Sequence, residues 1–134
     1  MAEGITHPVE ALALRPKLVC GRFFPNGTST TAMTVSAGTL VGKGIANVTR
    51  TASAGVFTVT LDDTYVKVVA FDAAVQHTTA ADLQPQFGAF SNVGTGTNVS
   101  FTLRVLAGAT GTDITANADS SVSFWVLFED SGAG

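Results

Sequence analysis

Charge is scarce in this chain. Seven Lys or Arg and ten Asp or Glu among 134 residues bring the charged fraction to 13%, about half the usual quarter. The net charge of −3, with its basic residues scattered, excludes a phosphate-binding stripe, so no nucleic-acid partner is expected. Cysteine is represented by Cys20 alone, which excludes an intramolecular disulfide and fits synthesis in a reducing cytoplasm. Histidine is limited to His7 and His77, neither with an H-x-H or H-x-x-x-H companion, so no zinc site is expected. No apolar run approaches the roughly 18 residues of a membrane helix, so no membrane partner is expected. Residues 1–8 are acidic and lack an apolar stretch, so they do not read as a secretory signal.

Apolar side chains, by contrast, make up 46% of the sequence. Polar surface must therefore come from Thr, Ser, Asn and Gly rather than from Lys and Glu. A chain of 134 residues is one domain, and at that size it buries close to two-thirds of its unfolded surface without metal or disulfide support.

The periodicity is that of strands. In VFTVTL, Phe57, Val59 and Leu61 alternate with threonines, so one face is buried and the other wetted. With Ile45, Val48 and Thr51 upstream and residues 65–71 downstream, residues 44–76 read as a three-stranded meander. Residues 17–24 read as a strand with Leu18, Cys20 and Arg22 on one side and Val19 and Phe23 on the other. Met33 and Val35 alternate through residues 28–36, and Gly42 and Gly44 mark a bulge or a close backbone approach. Residues 75–83 hold the best candidate for a helical turn, with Thr78 or Thr79 as cap. Pro85 points to a strand start or an edge strand. Phe101, Leu103 and Val105 share one face of a strand, as do Val122, Phe124, Val126 and Phe128. Trp125 and Leu127 make the opposite face of that last strand apolar too, as in a central strand or one covered by a partner.

About eight or nine strands at this spacing predict an all-β, two-sheet antiparallel sandwich of jelly-roll type, with a small closed barrel second. It divides into an extended N-terminal arm over residues 1–16, the sandwich over 17–130 and a polar tail over 131–134.

Catalytic patterns are thin, and no enzyme is expected. Asp62-Asp63 and Glu129-Asp130 sit at strand ends, where turn formation explains them better than acid–base work on a glycosidic bond. Asp113, Asn117 and Asp119 could ligate calcium but lack the D-x-D-x-D-G spacing. A Cys20–His dyad is formally open, though a buried strand cysteine is the commoner case. Gly94-Thr95-Gly96 has neither a lysine nor a helix after it, so it is no phosphate loop. No cofactor is expected. The residues that remain are candidates for partner binding. Ile5, His7, Pro8, Val9, Leu12 and Leu14 lie in an arm whose apolar side chains it cannot bury alone. Trp125 reads first as core and second as an interface anchor.

The stretch GIANVTRTASAGVFTVTL over residues 44–61, followed by Asp63-Thr64-Tyr65, resembles a pattern found in small structural proteins of tailed bacteriophages. ADLQPQ over residues 81–86, Leu103-Arg104-Val105-Leu106 and DITANADSSV over residues 113–122 fit the same resemblance, which spans most of residues 17–128. These are turn signatures rather than chemical ones. The resemblance implies a capsid decoration (cement) protein: a small β-rich domain, dimeric or trimeric, bound to the major capsid protein at the virion surface after synthesis in the bacterial cytoplasm. It carries over no catalytic residues. The alternative is a phage tail or fibre adhesin domain binding a host carbohydrate through exposed aromatics, for which Tyr65 and Trp125 are the candidates.

Overall fold

The structure, a computed structural model, describes residues 16–78 and 82–129. The arm candidates Ile5, His7, Pro8, Val9, Leu12 and Leu14 and the polar tail lie outside these residues. So does Thr79 of the expected helical turn.

Nine strands follow one another among the described residues: β1 (Pro16–Phe23), β2 (Leu40–Lys43), β3 (Ile45–Arg50), β4 (Val56–Leu61), β5 (Lys67–Gln76), β6 (Leu83–Ser91), β7 (Ser100–Ala107), β8 (Thr110–Gly111) and β9 (Ser121–Glu129). They form two antiparallel sheets packed face to face. One has the order β2-β1-β9-β5, the other β3-β4-β7-β6, with the short β8 folded back on the end of β7. The expected two-sheet antiparallel sandwich is what the chain forms. Its jelly-roll winding finds no confirmation in this order, where β3–β4 and β6–β7 pair as consecutive antiparallel neighbours within one sheet, each with a register shift.

Alternation decides which side chains go inside. Phe57, Val59 and Leu61 of β4, Phe101, Leu103 and Val105 of β7, and Val122, Phe124, Val126 and Phe128 of β9 are all buried. Burying each such side chain is worth about 1.5–3 kcal/mol. Aromatic contacts then join the layers: Phe23 lies 5.0 Å from Phe57, and Phe101 meets Phe124 edge-on at 5.6 Å.

The meander expected over residues 44–76 is corrected. β3 and β4 do pair, from Asn47 opposite Thr60 to Arg50 opposite Phe57, but β5 crosses to the other sheet and pairs with β9. The free side of β4 is taken by β7, in register from Val56–Arg104 to Thr60–Ser100. Tyr65 makes the crossing by entering the core and stacking on Phe128 at 4.2 Å. The Val66 amide then donates to the Glu129 carbonyl at 3.0 Å, which starts the new pairing.

Other local expectations divide. Residues 28–36 are loop, touching the sheet only where Met33 bridges Val48, and Val35 is exposed. The described residues contain no helix; Val75 and Gln76 belong to β5 and Leu83 opens β6. Pro85 does sit in an edge strand. The paired glycines do what their spacing suggested. At Gly44 (φ +82°) one extended run leaves the first sheet as β2 and enters the second as β3. At Gly42 a Cβ would come within 2.5 Å of the Cys20 carbonyl oxygen, so only glycine lets β2 lie this close to β1.

Candidate interaction surface

The two outer faces of the sandwich differ in chemistry. Across the β3-β4-β7 side, the outward positions include Asn47, Thr49, Thr58, Thr60, Ser100 and Thr102, with Thr58 paired to Thr49 on one flank and to Thr102 on the other, and with Val56 opposite Arg104 at one end. Hydroxyls and β-branched stems satisfy a pleated, hydrated surface of this kind.

The outer face of β2-β1-β9-β5 instead exposes large apolar side chains among charged ones such as Arg22, Lys43 and Asp72. Leu18 is 62% exposed, Val41 59% and Trp125 39%. Register draws them together: Cys20 stands opposite Trp125, Leu18 opposite Leu127, and Val41 opposite Arg22. Across β9, Trp125 faces Asp72 and Leu127 faces Ala70 on β5. A groove of about 420 Å³ on this face is lined by Val41, Trp125, Ala74, Ser123, Arg22 and Asp72 among others. At its rim Arg22 donates through Nε to Ser121 Oγ (2.8 Å) and through Nη2 to Gln76 Oε1 (2.7 Å), with its guanidinium 5.2 Å from the Phe24 ring.

Two expectations are overturned here. Trp125 is not core, and Cys20 is exposed rather than buried. Both occupy outward positions of their strands, and no described layer covers that face. Leu18 and Val41 were not singled out as partner-binding residues. The signal for Leu18 was the alternation that set it apart from Val19 and Phe23; Val41, in a short glycine-flanked strand, offered none.

A second apolar exposure lies where the edges of β5 and β6 meet. Phe71 is 47% exposed and leans on Phe87 and Phe90, at 4.6 and 5.4 Å, with Val66 and Val69 exposed beside it. Tyr65, a candidate sugar platform, is buried instead.

Among the acidic candidates Asp113 and Asp63 make structural bonds, and Asp130 lies outside the described residues. Asp113 accepts both a bidentate pair of hydrogen bonds from Arg50 and one from the Gly55 amide, all at 2.8 Å. The Arg50 hydrogen bonds hold its carboxyl below the usual range, against burial, with Gly55 adding to the effect. The same contact pushes the Arg50 guanidinium up. Asn117 Oδ1 accepts from the Asp119 amide at 2.8 Å, and Asp63 Oδ1 from the Thr64 amide at 2.8 Å, both turn-forming bonds. No three His, Cys, Asp or Glu among the described residues are grouped to hold a metal ion.

Comparison with family models, curated proteins and solved structures finds no match to this chain.

Proposed function

We propose that this chain is a non-enzymatic virion protein that binds the assembled capsid shell of a tailed phage and cements neighbouring coat subunits. Two things support the reading: the resemblance of residues 44–61 and 113–122 to phage structural proteins, and the contrast between the two outer faces. The contrast carries more weight. A sheet face bearing Leu18, Val41 and Trp125 in the open is an interaction surface, whereas the threonine face needs only water. Cementing a pre-formed shell calls for such distributed contact area rather than one reactive pocket. The major capsid protein is the partner this reading names, and the capsid surface its location. The adhesin alternative keeps Trp125 but has lost Tyr65 to the core.

The test is the copy number of this chain relative to the major coat protein in purified particles. A ratio of the same order as coat supports a shell-binding role. A handful of copies per particle moves the protein to the tail, and absence discards the virion reading.

A further inference from the structure

We propose that the groove on the outer face of the β2-β1-β9-β5 sheet receives residues 9–14 of a second copy of this chain. The inference goes beyond shell binding, because it concerns how copies join each other with no shell present.

The groove and the segment match in chemistry. The groove is lined by Val41, Trp125, Ala74 and Ser123, with Arg22 and Asp72 also on it. Most of its lining is apolar, which suits branched aliphatic groups. The chain before β1 supplies them at Val9, Leu12 and Leu14. In extended backbone Leu12 and Leu14 fall on one side, two residues apart, which suits a groove running over a pleated sheet. Glu10 falls on that side as well, opposite in sign to Arg22 and like in sign to Asp72, the two charged residues on the groove.

The point of departure favours a second copy. β1 lies inside its sheet, between β2 and β9, and starts at Pro16 opposite Glu129. A residue that precedes proline is biased to extended backbone, which disfavours a reversal immediately before Pro16. To reach that groove in cis it would have to reverse at once and travel back to the level of Cys20, about 13 Å along the strand. Residues 1–15 extended outward have a reach of roughly 50 Å, enough to cross to a neighbour. Exchange of arms would cover Leu18, Val41 and Trp125 on each copy.

The experiment uses the purified full chain at micromolar concentration, its mass measured by light scattering, and a synthetic peptide of residues 2–15. Trp125 is the one tryptophan and lies on the groove wall, so its emission reports occupancy. The expected result is an oligomer that falls to the mass of one chain in excess peptide while Trp125 emission remains that of a covered indole. The Leu18→Thr/Val41→Thr double variant, both changes at exposed positions, is expected to be monomeric, with red-shifted emission and unchanged circular dichroism. A full chain that is monomeric on its own, or an oligomer whose mass neither the peptide nor the double variant changes, overturns the proposal. Should the double variant fail to fold, the peptide titration of the full chain decides alone. None of these outcomes touches the copy-number test, so the shell-binding reading stands or falls separately.

Discussion

Arg50 grips Asp113 through both carboxylate oxygens, Nε to Oδ1 and Nη2 to Oδ2, each at 2.8 Å, across 63 positions of sequence. The remaining Arg50 nitrogen, Nη1, donates to the Thr51 carbonyl at 2.9 Å, and the Gly55 amide donates to Asp113. One ion pair thus ties the turn between β3 and β4 to the segment that follows β8. Its neighbour Ile114 is fully buried, so the pair also holds a core residue in place.

Breaking this clamp from either side should destabilise the fold. Asp113→Asn removes the charge and leaves an arginine that is only 9% exposed without its partner. Arg50→Lys keeps the charge but loses the two-pronged geometry. Both variants are expected to lower the thermal midpoint by several degrees, Asp113→Asn the more. Calorimetry of the three proteins side by side checks the order.

The same pair predicts a pH dependence. The Asp113 carboxyl is held below its ordinary value of 3.8 in the folded state, so its contribution is fully present above that value. As pH falls, the unfolded chain takes up its proton first, and the contribution is lost by the time the lower folded pKa is passed. Wild type and Asp113→Asn should therefore differ in stability by a constant amount near neutral pH and converge below about pH 4. Denaturant titrations from pH 7 to pH 3 measure the gap; a gap that widened on acidification would contradict the assignment.

Depth should separate two substitutions of similar appearance. Phe101 is 1% exposed and touches Phe87 and Phe90 in its own sheet and Phe124 across the sandwich. Phe101→Ala is expected to cost about 3–5 kcal/mol. Val41→Thr, at an exposed strand position, is expected to stay within about 0.5 kcal/mol in a dissociated chain. Urea unfolding followed by circular dichroism compares them.

Cys20 offers a chemical reading of the outer face. It is exposed opposite Trp125, so a chain lacking residues 2–14 should be alkylated to completion while still folded. Mass spectrometry with circular dichroism checks both conditions. Labelling that required denaturant would place Cys20 inside.

Much of this architecture was legible in the chain, because a strand's side chains alternate with a period of two whatever lies around it. That period alone separated Phe57, Val59 and Leu61 from their threonines, and Val19 and Phe23 from Leu18 and Cys20. It also made β9 apolar on both faces, as in a central strand or one covered by a partner. Periodicity says nothing about which strand lies alongside. The departure of β5 to β9 followed from β7 occupying the flank of β4, and the Arg50–Asp113 clamp joins residues whose proximity exists only after both sheets form. The exposure of Trp125 was decided there too. A large indole is buried only when another layer covers it, and no described layer covers that face.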